Sequence, residues 1–158
     1  MRLTLAPLSR DDFATVAHIA VHPAQERFSG TPADAFAHHQ PTSDLHVIRL
    51  DGGAVGLFRI DRAYAADHWF ARPDEPGLKS FMIDAGRQGQ GVGTAAVRAL
   101  DAYLPARYPG IRSVVLTVNM ANPAAIRTYR AGGFVDTGEI YEGGRAGPQL
   151  VMRMPLAG

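Results

Sequence analysis

The stretch from Leu78 to Leu104 constrains this chain most. The apolar run Phe81-Met82-Ile83 leads through Asp84-Ala85-Gly86 into Arg87-Gln88-Gly89-Gln90-Gly91-Val92-Gly93-Thr94. A helical pattern follows at once, with Val92, Ala96, Ala99, Leu100 and Tyr103 on one face. Strand, glycine loop and helix in that order present backbone N–H groups to an anion at the positive end of a helix. Glycine at 89, 91 and 93 lets a ligand approach that backbone closely. The stretch from Arg87 to Thr94 therefore reads as a diphosphate cradle.

Spacing excludes two cradles. A nucleotide-triphosphate loop needs Lys followed by Ser or Thr after its last glycine, and Val92-Gly93-Thr94 has no Lys. A dinucleotide fingerprint needs a third glycine where Thr94 stands and an acidic residue about 20 positions on. Arg112 and Ser113 occupy that neighbourhood.

The chain of 158 residues is long enough for one domain with a real core, so a single domain over 1–158 is expected. A net charge of +1 argues against nucleic acid or an anionic membrane surface as partner. The positive charge consists of fifteen Arg and a single Lys, Lys79. Without cysteine there is no disulfide, no thiolate metal site and no cysteine acyl-enzyme. That composition, a short N-terminal apolar run and the lack of any membrane-spanning stretch suit a cytoplasmic protein.

In chain order, Arg2 to Ala6 alternates as a strand closed by Pro7. Ser9, Asp11 and Asp12 open an expected helix with the stripe Phe13, Val16, Ala17 and Ala20. Gln25 to Gly30 reads as a loop, and Thr31-Pro32-Ala33-Asp34 opens a short second helix. Leu45 to Leu50 and Ala54 to Ile60 form a hairpin around Asp51-Gly52-Gly53. A long loop from Asp61 to Gly77 precedes the central strand. Ser113 to Val118 is a buried strand, and Asn122-Pro123 caps a helix ending at Gly132-Gly133. Phe134 to Tyr141 and Gln149 to Met154 are the last strands, around the loop Glu142 to Pro148. The order β-α-α-β-β-β-α-β-α-β-β predicts a mixed α/β fold, with a mostly antiparallel sheet of about seven strands between helices.

Two motifs then combine. Gln88-x-x-Gly91-x-Gly93 resembles the acetyl-coenzyme A loop of the GNAT N-acetyltransferase superfamily. Val118, Asn122, Tyr129, Gly133 and Phe134 resemble its second hallmark, a V-x-x-x-N turn, a helix bearing Tyr, and a closing G-F. Gln88 to Gly91, Asn119 to Tyr129 and Thr137-Gly138-Glu139 are similar to the branch containing diamine and polyamine acetyltransferases.

The resemblance implies acetyl transfer from acetyl-coenzyme A, as co-substrate, to a primary amine of a small molecule by direct attack. Tyr129 would be the acid that protonates the departing thiolate; it would also touch the coenzyme. Asn122, read from sequence as an N-cap, would also contact the pantetheine arm, and Met82 and Ile83 would offer main-chain groups to it. A Glu near the central strand, frequent as base in the family, is missing from Lys79-Ser80-Phe81-Met82. Glu26 is the expected base, with His68, Glu75 and Glu139 as other candidates and Asp84 as a turn-maker. Glu26, Asp74, Glu75, Glu139 and Glu142, with Phe28, Trp69, Phe70 and Tyr141, would form a wall for a cationic amine. The bland alternative for these acids is solvated charge, partly answered by Arg27, Arg72 and Arg145. No metal is expected: the adjacent His38 and His39 fall on different faces of a helix. A homodimer is a further expectation. Two other classes stay open, an acyl-coenzyme A sensor without turnover and a protein or peptide N-acetyltransferase.

Overall fold

The computed structural model describes residues 2–37, 40–144 and 146–157; the expectations placed on His38, His39 and Arg145 lie outside them. Seven strands form one sheet in the order β1-β2-β3-β4-β5-β7-β6. They are β1 (Leu3–Pro7), β2 (Ser43–Leu50), β3 (Gly53–Asp61), β4 (Gly77–Ile83), β5 (Ser113–Asn119), β6 (Val135–Tyr141) and β7 (Gln149–Pro155). All neighbours are antiparallel except β4 and β5. The helices are α1 (Glu26–Ser29), α2 (Pro32–Ala37), α3 (Tyr64–Asp67), α4 (Val92–Arg107) and α5 (Pro123–Gly132). The expected mixed fold is the one found.

Alternation along the strands sorts apolar side chains onto two faces. On one face Ile48, Phe58, Leu78, Ile83, Val114, Leu116 and Met152 pack with Val92, Ala96, Val97, Leu100 and Leu104 of α4. On the other, Leu45, Val47, Leu57 and Met82 meet Leu8, Val16, Ile19 and Ala35. A smaller group, Tyr64, Phe70, Val115 and Val151, continues that second face under α3. Side chains of this size each contribute about 1.5–3 kcal/mol when buried, so both faces must stay covered.

The expected helix after Ser9 is a correction. The segment forms only a 3-10 turn at Phe13–Thr15, and Asp12 makes no side-chain cap bond. Its composition favours this: Thr15, Val16 and Ile19 are β-branched, and two aspartates compete for local backbone groups. Its bonds go elsewhere in the fold. Ala20 N donates to Asp84 Oδ1 at 2.9 Å, Ala20 O accepts from Ala85 N at 2.8 Å, and Arg10 donates to Ser43 O at 2.8 Å. Val16 and Ile19 still reach the core. Conversely, the expected loop from Gln25 contains the single turn α1, and the loop after Asp61 contains the single turn α3.

Two irregularities shape the centre of the sheet. The β3–β4 register slips between Leu57–Met82 and Arg59–Lys79, so Phe58 faces both Ser80 and Phe81 in a β-bulge. Ser80 takes φ 54°, in the left-handed region, and its hydroxyl accepts from Arg59 Nε at 2.9 Å. The second irregularity is that β4 and β5 pair only at Gly77 and Val115. Beyond that point they diverge.

Candidate active site

The divergence of β4 and β5 opens a cleft of about 970 Å³ through the sheet. Its floor is Leu78 to Ile83 on one side and Thr117 to Asn119 on the other. The glycine loop closes one end. Gly89 has φ 76° and Gly91 φ 81°, conformations that an L side chain adopts only under strain, and a Cβ at either position would enter open space. Ala95 N makes the first helical bond, to Gly91 O at 3.0 Å. Among the described residues, the amides from Gly89 to Thr94 donate to no protein acceptor. These donors sit at the positive end of α4, a 16-residue helix, and fit a diphosphate.

Side chains of the loop divide. Gln88 lines the cleft, yet its amide is occupied: Nε2 donates to Ile83 O and to Gln25 Oε1, both at 2.9 Å, and Gln25 Nε2 donates back to Oε1 at 3.0 Å. It clips the first interhelical segment to the end of β4. Arg87 and Gln90 are exposed and do not line the cleft; Val92 is core. Gly93 and Thr94 line it, and a Cβ on Gly93 would lie 3.2 Å from Thr128 of α5. Asn122 is the N-cap of α5, its Oδ1 accepting from Ala125 N at 3.4 Å, and it also lines the cleft. A Cβ on Gly56 would collide with the Met82 carbonyl, so that carbonyl is turned towards β3. The Met82 side chain is buried with Leu57.

Tyr129 reaches the cleft from the α4/α5 face. Its ring is held edge-on between Phe81, at 5.8 Å, and Phe134, at 5.7 Å. Burial pushes its phenol above the ordinary value. Among the described residues, no protein group bonds its hydroxyl.

His68 reaches the cleft from the opposite face. Its ring stacks on Tyr64 at 3.6 Å with a 5° interplanar angle, and Phe70 and Tyr141 flank it at 5.6 and 5.7 Å. Its Nδ1 lies 2.8 Å from Tyr64 O. A carbonyl only accepts, so Nδ1 carries a proton, and in the neutral ring Nε2 keeps a free lone pair.

The other base candidates are placed differently. Glu26 is exposed and does not line the cleft, although Gln25, Arg27, Phe28 and Ser29 beside it do. Glu75 is buried and fully engaged: Arg153 donates to both its oxygens at 2.7 and 3.0 Å, Arg72 N donates at 3.0 Å, and Ser113 Oγ donates as well. Arg153 and the two other donors hold its carboxyl below the ordinary range despite burial. Asp84 caps the chain at Ala20. Glu139 does not line the cleft. The expected acidic wall is therefore not present: of its members only Phe28 and Tyr141 face the cleft, and Trp69 is 69% exposed. Among the described residues, no group of three potential metal ligands occurs, and no helix is long and apolar enough to cross a membrane.

The family model described as Acetyltransferase (GNAT) family matches residues 13–134, and the chain belongs to that family. It is thus a GNAT acetyltransferase by fold and by motif. Among solved structures it is similar to the aminoglycoside acetyltransferase AAC(6')-Ib in complex with ribostamycin and coenzyme A. That likeness has a TM-score of 0.78 at 22% identity, over 98% of this chain and 94% of that one. The spermidine N-acetyltransferase from Vibrio cholerae in complex with coenzyme A and spermine gives 0.70 at 19%, over 98% and 96%. No curated protein sequence matches the chain.

Proposed function

We propose that this protein moves an acetyl group from acetyl-coenzyme A to the primary amine of a small molecule by direct attack on the thioester. The observation that carries the reading is one cleft through the sheet with unpaired amides at its end and a phenol and an imidazole on its two faces. The donors of the loop hold the diphosphate, and the arm runs between the diverging strands past Asn122. His68 Nε2 takes a proton from the attacking amine; Tyr129 gives its proton to the departing sulfur. The raised phenol remains protonated at neutral pH, as an acid must. His68 replaces Glu26 as base because it lines the cleft and its free nitrogen is fixed by the Tyr64 carbonyl. The solved relatives named above support the small amine, being complexes of coenzyme A with ribostamycin or spermine.

The test is release of free thiol from acetyl-coenzyme A across an amine panel. Tyr129→Phe and His68→Gln should each lower kcat by about 10²-fold or more while acetyl-coenzyme A still binds. Wild-type rates in both variants, where chemistry limits turnover, refute these roles.

A further inference from the structure

The cleft is basic on the face away from α4 and α5. Lys79 from β4 and Arg27 from α1 both line it, and among the described residues no aspartate or glutamate does. Arg27 lies over the Phe28 ring at 4.4 Å, and among the described residues it makes no ion pair. Arg59, only 6% exposed, stands opposite Lys79 in the ladder. Its guanidinium donates to the hydroxyls of Ser80 and Ser43 rather than to a carboxylate. Arg10 adds its charge to Arg59 from the first segment. The nearest carboxylate to this group is Asp61, whose Oδ2 is 4.0 Å from Lys79 Nζ and whose Oδ1 already accepts from Ala63 N. Arg59 and Lys79 thus share Asp61, and Asp67 adds its charge at Lys79. Burial and the Arg59 charge, opposed by Asp61 and Asp67, hold Lys79 below its ordinary value.

We infer that this face of the cleft binds an anionic group of the acceptor, so that the substrate is a small primary amine that also carries a carboxylate. The inference rests on the acetyltransferase reading and narrows it. The carboxylate sits on Lys79 and Arg27, and the amine lies towards His68. Lys79 is half-buried, and a partly desolvated cation gains more from a charge-assisted partner than a solvated one does. A polycation such as spermine would meet like charges with no lining carboxylate to answer them. Lys79 is also the one lysine of a chain that otherwise carries arginine.

Acceptors that differ only in the carboxylate test this: ornithine against putrescine and lysine against cadaverine, with spermidine and kanamycin as polycations. The carboxylate-bearing member of each pair should have the higher kcat/KM, by about tenfold or more, a magnitude usual for a hydrogen bond to a charged group. Lys79→Gln should close that gap through KM, and Lys79→Arg should keep it open. A higher kcat/KM for putrescine, spermidine or kanamycin overturns the inference. So does an unchanged gap when Lys79→Gln and Arg27→Gln are combined. Calorimetric titration of ornithine into the coenzyme A-loaded protein gives a readout without turnover: heat that disappears in Lys79→Gln supports the site, and its absence in the wild type overturns it. If acetyl-coenzyme A itself fails to bind, the acetyltransferase reading falls, and the same titration without coenzyme still decides the anion site.

Discussion

His46 sets a pH limit on the fold. It is fully buried on the α4 side of the sheet, stacked on Phe58 at 4.9 Å, with Tyr103 Oη 2.6 Å from Nδ1 and Tyr108 Oη 2.8 Å from Nε2. Tyr108 donates its own proton to Asp44 Oδ2 at 2.7 Å, so Nε2 must be the donor to Tyr108 and Nδ1 the acceptor from Tyr103. An imidazolium would have to turn the Tyr103 hydroxyl so that its oxygen accepts from Nδ1, and would carry a charge in the interior. Burial, helped by the Arg107 charge and opposed by Asp44, lowers the group from 6.5 to about 4. The unfolded chain therefore binds a proton that the native state refuses. Stability is intact above the ordinary histidine value and is lost as pH falls from there towards the native value. Going from about pH 7.5 to about pH 5, this one group removes about 2 kcal/mol of a full difference of about 3.4 kcal/mol. For a domain of this size that lowers Tm by about 4–8 °C. Thermal unfolding by circular dichroism at the two pH values measures it, with His46→Gln as reference. The variant should be less stable at neutral pH and show a smaller acid loss. Equal acid losses in the two proteins would refute the reasoning.

Two further perturbations address the loop and the sheet. Gly91→Val puts a β-branched residue at φ 81° and a side chain into the mouth of the cradle. It should weaken acetyl-coenzyme A by about 10²-fold or more in calorimetry and cost about 1–3 kcal/mol of stability; unchanged affinity in a folded variant removes the cradle. Glu75→Ala leaves Arg153 and Ser113 without their partner in the interior. A loss of about 3–5 kcal/mol in urea unfolding is expected, and a loss under about 1 kcal/mol contradicts the buried pair.

The strands and the two long helices were legible because their burial follows simple periods. Leu45 to Leu50 and Ser113 to Val118 lie within observed strands, and the stripe from Val92 to Leu104 lies within α4. The helix expected after Ser9 shows the limit. A stripe at helical spacing marks which residues are buried, but bonds to Ser43 and Asp84, both distant in sequence, decide the backbone path. The loop and Tyr129 were readable as patterns. His68 was one histidine among several, and what distinguishes it is a bond to Tyr64 O inside a single turn that no periodicity announces. The acceptor wall misled for a related reason: composition counts carboxylates, whereas Glu75 points inward to Arg153 and Asp61 sits beneath Lys79. The cations left facing the cleft are then the informative charges.

The parting of β4 from β5 has a mechanical meaning. With pairing at Gly77 and Val115 alone, the sheet behaves as two plates, β1 to β4 and β5 to β7, hinged at one edge. No ladder beyond the hinge fixes their spacing. That task passes to the crossing of α4 and α5, where Gly132 lies so close to Val97 that a single methyl group would act as a wedge. The gauge of the cleft is thus set on the α4/α5 face of the sheet, by the thickness of a glycine.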